Sequence, residues 1–492
     1  MAASDISATL QHDAPPGTFT VSRRLSPLPL ARLPVLVTLI ALGVRGVTDS
    51  DIWGHMLFGL NLLATRALPV ADPYSFTSNQ LWINHEWFSD VLFGFAYSHG
   101  GLVQLTVLRS LSLASALFVV NRGLRSVSWP LRDLLMSVIV VSSLPLLGAV
   151  RPQIFSIPLY ALTLVALSND AVWLPAVFVV WANLHGGWLL GFGAVVVKTV
   201  CAPTRKRLFV LAGCALATLV TPYGVALWTS LAEAIMRGWN GVVEWEPVWR
   251  LSSGTQPMII WLLLASALCW AANRNTSAEA WKWVWTACVA IASLRARRHV
   301  PFFAATEVLL ILSSIRVRGV DLSKLAWSPQ AAFVLAAPLA VACYLAATTL
   351  TPTVSCLPAV DPPMRPEASA VRFIRTENLR GNVLTWFDWG LYAIWQVGDQ
   401  MRVSIDNRRE TVYSAQTVAD HWQFYSGGAP DYPDRIGADY VWLPLKLAPV
   451  EQLQARHWHV VYRGPRSTIL SRVDRPLTVG QHNAGGQCFP EP

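Results

Sequence analysis

The chain has 492 residues, 53% hydrophobic and only 14% charged, and its mean hydropathy of +0.41 lies well above that of water-soluble chains. This excludes an ordinary soluble enzyme and places most of the chain in a bilayer. The formal net charge of +9 comes from short basic clusters between apolar runs, so it marks membrane topology rather than a nucleic-acid partner. None of the seven cysteines has metal-ligand spacing, and only Cys356 and Cys488 are placed for an external disulfide.

In chain order, a polar cytoplasmic tail (1–32) precedes eleven candidate spans at about 33–47, 101–120, 133–149, 154–168, 171–183, 187–200, 207–221, 256–273, 281–294, 301–315 and 331–350. With the N-terminus inside, the clusters around Arg23, Arg122, Arg205, Arg274 and Arg316 fall on the cytoplasmic side, as the positive-inside rule requires. Arg295, Arg297 and Arg298 are the exception and lie outside. The first external loop, 48–100, is long. A proline-rich linker (351–366) leads to a segment of mixed polarity (367–492), with strand-like runs at Val383–Trp386, Arg402–Ile405, Tyr440–Pro444 and His459–Tyr462. These features predict a small α/β domain on the outer face.

The reactive side chains sort to the same side. The first external loop holds Asp49, Asp51, His55, His85, Glu86 and Asp90, and the later outer segments hold Arg151, His185, Glu244 and His299. Carboxylates and histidines at membrane depth usually line a water-filled site, so this convergence predicts a functional site there. Tryptophan is abundant, at 23 residues. An interfacial belt accounts for most of them, while Trp53, Trp87 and Trp245 are placed to stack on sugar faces. The patterns GxxxxGK[ST], HExxH, GxSxG and the Rossmann glycines are all missing from the sequence. What remains is acid/base chemistry by carboxylates, with or without a divalent cation.

The acidic run Asp49-Ser-Asp51-Ile-Trp-Gly-His55 just after the first span, the stretch Val242-Val-Glu244-Trp-Glu-Pro247, and Trp386-Phe-Asp388-Trp-Gly390 followed by Asp406-Asn-Arg408 occur in this order. Together they resemble motifs of the GT-C superfamily of membrane glycosyltransferases, and more distantly the catalytic subunit of oligosaccharyltransferase. The resemblance covers about 33–410. It implies a polytopic α-helical membrane protein of about 11 transmembrane helices, GT-C-like, with a C-terminal small α/β extracytoplasmic domain. It also implies transfer of a sugar from a polyprenyl-phosphate-linked donor to a glycan, lipid or protein acceptor, in a bacterial inner membrane with the C-terminal domain in the periplasm.

By this resemblance Asp51 is the catalytic carboxylate, assisted by Asp49 or Glu86, and Mn2+ or Mg2+ is held by Asp51 and Glu244. Arg297 and Arg298, with His299 and Arg151, meet the donor phosphates, and His55, His85, His185, Trp386 and Asp388 complete the substrate site. One departure stands out. The loop that carries an acidic pair in the family reads Ala149-Val-Arg151-Pro-Gln153 here and has no carboxylate. A lipid or glycan transporter (a flippase) and a membrane scaffold are the competing classes. An enzyme would bring Asp51 close to Glu244 and Arg298, and a scaffold has no reason to.

Overall fold

The computed structural model describes residues 49–147, 149–237, 243–250, 260, 262–264, 266–267, 279–314, 316–317, 320–321, 357–358, 365–480 and 488–489. The expected tail, the expected spans 33–47 and 331–350, most of 256–273 and most of the linker lie outside the described residues, as does Cys356 of the expected disulfide.

Segment 48–100, expected as a loop, carries two helices. Helix α1 (Ile52–Thr65) and the first part of α2 (Trp87–Gly123) pack against each other through glycines. A Cβ on Gly94 would come within 2.5 Å of the Gly59 carbonyl carbon, so the two backbones touch and only glycine fits. The chain breaks at Gly100–Gly101, where Gly101 has φ +57°. The stretch beyond it rises about 33 Å at 1.5 Å per residue, enough to cross a hydrocarbon core. On this stretch Val103, Val107, Leu111 and Phe118 are exposed, whereas Leu105, Arg109, Leu113, Ala116 and Val120 are buried. A stripe of bare apolar side chains opposite a packed face suits lipid contact.

The next helices are α3 (Trp129–Leu147), α4 (Gln153–Ser168), α5 (Leu174–Leu184), α6 (Trp188–Cys201), α7 (Arg205–Ala217), α8 (Val225–Arg237), α9 (Ala280–Arg295) and α10 (Val300–Thr306). The last runs into a π-helical turn at Glu307–Ile311. Most follow the expected spans to within a few residues; α1 and α8 do not correspond to any of them. Among the described residues, α2 is the one helix long and apolar enough to cross a membrane by length and composition, and five shorter apolar helices accompany it.

The C-terminal unit is α/β, as the sequence predicts. Its helices are α11 (Ala368–Thr376), α12 (Gly390–Val397), α13 (Arg409–Val412), α14 (Ala415–Tyr425), α15 (Tyr432–Arg435) and α16 (Pro449–Gln454). Its sheet is formed by β1 (Gly381–Thr385), β2 (Met401–Val403), β3 (Tyr440–Pro444), β4 (His459–Arg463), β5 (Ser467–Ser471) and β6 (Thr478–Val479), in the order β2-β1-β3-β5-β4-β6. The four predicted strands are present, and β5 and β6 complete the sheet. Strands β2, β1 and β3 run parallel. The connection after β1 runs to β2 on one side and that after β3 runs to β4 on the other, so the switch point lies between β1 and β3, and the carboxyl ends of the parallel strands are where such sheets gather functional groups. Beyond those ends lie Trp386–Asp388 and Asp406–Arg408.

The first external segment is bound to this sheet. Phe76 N donates to Val403 O at 3.1 Å and Val403 N to Tyr74 O at 3.2 Å, which adds a short strand to the β2 edge. Arg408 pairs with Asp72 at 2.7 Å and with Asp406 at 2.6 Å. Its guanidinium also faces the rings of Phe58, Tyr74 and Trp82 at 5.1, 5.3 and 4.7 Å.

Candidate active site

The Asp49–Asp51 run immediately precedes α1, and the Asp51 backbone N–H donates to Asp49 Oδ1 at 2.8 Å, fixing the turn. Arg151, two residues before α4, reaches into it. Its Nε lies 2.6 Å from Asp49 Oδ2, its Nη2 pairs with Asp51 Oδ2, and its Nη1 lies 3.1 Å from Glu244 Oε2. The other Glu244 oxygen meets Arg298 Nη1 at 3.2 Å, and the Arg298 guanidinium lies over the Trp245 ring at 4.4 Å. From the C-terminal domain, Asn407 Nδ2 donates to Asp51 Oδ1 at 2.7 Å and to Ser50 Oγ at 2.6 Å. Asp51, Glu244 and Arg298 therefore form one connected constellation, built from three distant stretches and closed by the α/β domain.

A second group flanks it. Glu86 Oε1 lies 3.6 Å from His185 Nε2 and 3.7 Å from His85 Nε2. His185 Nδ1 accepts from Gly187 N–H at 3.0 Å and from Ser156 at 2.7 Å, and Ser156 itself accepts from Trp181 Nε1. This network places the His185 proton on Nε2, facing Glu86. His55 Nδ1 pairs with Asp90 Oδ1 at 2.7 Å, and Asn84 donates to the other Asp90 oxygen.

Electrostatics separates the two aspartates. Burial raises the Asp49 carboxyl to about 7, helped by the charges of Asp51 and Glu244 and opposed by Arg151. Burial acts in the same direction on Asp51, but Arg151, His55 and Asn407 outweigh it and hold Asp51 below the usual carboxylate range. Two neighbouring carboxylates pushed apart in this way are a pattern of acid/base sites. Burial, with the nearby cations Arg298 and Arg151, keeps His185 neutral. For His55 the Asp90 hydrogen bond and charge overcome burial and raise it to about 9. Burial and Arg298 bring His299 down to about 4.

Several sequence-based expectations change. Trp53 is 2% exposed and packs on Tyr392 at 5.2 Å and Phe489 at 5.9 Å, so it joins the two units rather than meeting a sugar. Trp87 donates Nε1 to Asn183 at 2.9 Å. Trp245 has Arg298 over its face and His299 edge-on at 5.6 Å. Trp386 packs against Tyr425 at 4.7 Å and donates Nε1 to Asp388 at 3.2 Å. Asp388 lies within a short 3-10 turn. Burial raises its carboxyl, and the charge of Asp51 adds to this. Arg297 donates its backbone N–H to Glu246 O at 3.4 Å. Arg151 stands among three carboxylates, between the two residues marked for a metal.

Sequence reasoning missed Ser156, which carries no motif, and undervalued Asp90 and Asn407. The last was visible in the Asp406-Asn-Arg408 segment.

In its fold the chain resembles solved GT-C glycosyltransferases. No protein-family model matches the chain, and no curated protein sequence does. Among solved structures it is similar to the Archaeoglobus fulgidus oligosaccharyltransferase tethered to an acceptor peptide, with TM-score 0.53 and 12% identity over 84% of this chain and 69% of that one. It is similar to Cupriavidus metallidurans ArnT bound to undecaprenyl phosphate, with TM-score 0.51 and 13% identity over 90% and 97%. Mycobacterial arabinofuranosyltransferase AftD gives TM-score 0.52 and 13% identity, with 90% of this chain spanning 40% of that longer one. At these identities the likeness is one of fold.

Proposed function

We propose that this chain is an integral-membrane glycosyltransferase of GT-C type that moves a sugar from a polyprenyl-phosphate-linked donor to an acceptor on the outer face of a bacterial inner membrane. The observation that carries the reading is the convergence of Asp49, Asp51, Glu244, Arg151 and Arg298 under Asn407 of the C-terminal domain. The solved relatives include one bound to undecaprenyl phosphate and one tethered to an acceptor peptide, which supports the classes of donor and acceptor.

Asp51 is ionised and only partly covered, and each of its oxygens keeps a lone pair beyond the bonds to Arg151 and Asn407. It takes the proton of the acceptor nucleophile as that atom attacks the anomeric carbon. The bond from that carbon to the phosphate oxygen breaks, the configuration inverts, and the polyprenyl phosphate leaves with the bond's electron pair. Arg298 and Arg297 stand beside the site to meet the leaving phosphate by charge-assisted hydrogen bonds. Neutral His185, with Nε2–H directed into the site, is suited to donate to a sugar hydroxyl, and His85 and Glu86 lie beside it.

Ionisation of Asp49 places a second negative charge next to Asp51 and strengthens it as a base. The turnover rate is accordingly expected to rise with pH through about 7, and the Asp49→Asn enzyme to lose that step. A step of unchanged position and size in the variant removes Asp49 from the account. The functional reading itself is tested in membranes expressing the chain and supplied with a labelled polyprenyl-linked sugar pool. Label should pass to an acceptor fraction only where the chain is present, and equal transfer in empty membranes contradicts it.

A further inference from the structure

From the arrangement of Asp49, Asp51 and Glu244 around Arg151, we infer that the Arg151 guanidinium is a built-in cation that takes the place of the divalent metal ion in this site, so that transfer is metal-independent. The inference rests on the proposed glycosyltransferase reading, but the seating of the cation is tested separately from transfer. Among the described residues no group of three or more His, Cys, Asp and Glu side chains is arranged to hold a metal ion. The carboxylates that come nearest to such a group instead point to three different nitrogens of one guanidinium. Glu244 is shared with a second cation, Arg298. Three carboxylates facing two fixed guanidiniums are already close to charge balance. A divalent ion entering between them would meet two like charges at contact distance.

The substitution has a chemical logic. A guanidinium is planar, permanently charged and presents five N–H donors. Two are donated, from Nη1 to Glu244 and from Nη2 to Asp51, and Nε lies 2.6 Å from Asp49; one N–H on each Nη group remains, a pair suited to a phosphate oxygen. Arg151 thus holds Asp51 in its ionised form and orients it, and it offers positive charge to the departing phosphate, the two tasks a bound metal would perform.

The test uses purified full-length protein in detergent and free Mn2+ followed by electron paramagnetic resonance. Wild type should leave the free Mn2+ signal unchanged, whereas Arg151→Ala, which vacates the centre of three carboxylates, should deplete it. The double variant Arg151→Ala with Glu244→Gln should bind more weakly. Transfer by wild type should be unaffected by a chelator. Mn2+ binding by wild type that is lost in Glu244→Gln overturns the inference, and so does a folded Arg151→Ala protein that leaves the signal unchanged. If Arg151→Ala does not fold, the wild-type and Glu244→Gln measurements still decide. Absence of transfer under all conditions contradicts the functional reading and leaves the Mn2+ result standing on its own.

Discussion

Asp51→Asn is expected to lower transfer by about 10²- to 10⁴-fold, the range typical for loss of a general base, with little change in folding. The exchange is nearly isosteric. Asp51 accepts from Arg151 through one oxygen and from Asn407 through the other. An asparagine keeps one acceptor for Arg151 and turns its amide N–H2 toward Asn407. The Asn407 amide can answer by rotating, because its Oδ1 is buried without a partner. The hydrogen-bond network survives with one residue flipped, and what is lost is the group that takes the proton. The measurement is initial-rate transfer at matched protein amount, alongside a thermal unfolding curve. A rate within twofold of wild type would exclude Asp51 as the base.

The largest effect on stability is expected at Arg408, the residue that follows Asn407 in the chain. Its side chain is 7% exposed, and those of its partners Asp72 and Asp406 are fully buried. The three groups join the first external segment to the α/β domain, within a ring of aromatic side chains. Arg408→Leu leaves two buried carboxylates without their counter-charge, which costs on the order of 3–5 kcal/mol for a broken buried pair. Cation–π attraction from Phe58, Tyr74 and Trp82 is lost as well. The unfolding midpoint in detergent should fall clearly, and residues 67–84 should become protease-sensitive as the short strand at Tyr74–Phe76 leaves the β2 edge. Replacing Asp72 by Leu in the same chain should recover part of the loss, because it removes one stranded charge. An unchanged midpoint in Arg408→Leu would show that this buried ion-pair cluster does not hold the two units together.

These two residues show what was legible in the sequence. Asp51, Glu244 and Asn407 stood in motifs whose order along the chain matched their convergence in space, so the constellation was readable although its members are hundreds of residues apart. Arg408 stood in the same segment as Asn407, but its partner Asp72 carries no motif, and a buried ion pair between distant segments leaves no local pattern. The apolar runs located most of the helices to within a few residues, because the need for a lipid-facing stripe writes itself into composition. Helix α1 escaped, since its apolar face is covered by the α/β domain and its glycines serve close helix packing, so it looks like neither a span nor a loop. The same cover explains Trp53. An aromatic residue beside an acidic motif reads equally as a sugar platform or as a packing residue, and Tyr392, which decides between them, lies in the other unit. Arg151 was visible as a departure from pattern, but only the three distances to its carboxylates give it a role.

The most direct measurement of the central claim uses purified protein reconstituted in liposomes with a donor carrying one label on the sugar and another on the polyprenyl phosphate. The labels should separate in step. Sugar would appear on the acceptor with inverted anomeric configuration, and free polyprenyl phosphate would be released in equal amount. Donor that crosses the bilayer with both labels still joined, and no separated product, would contradict the account and identify a transporter.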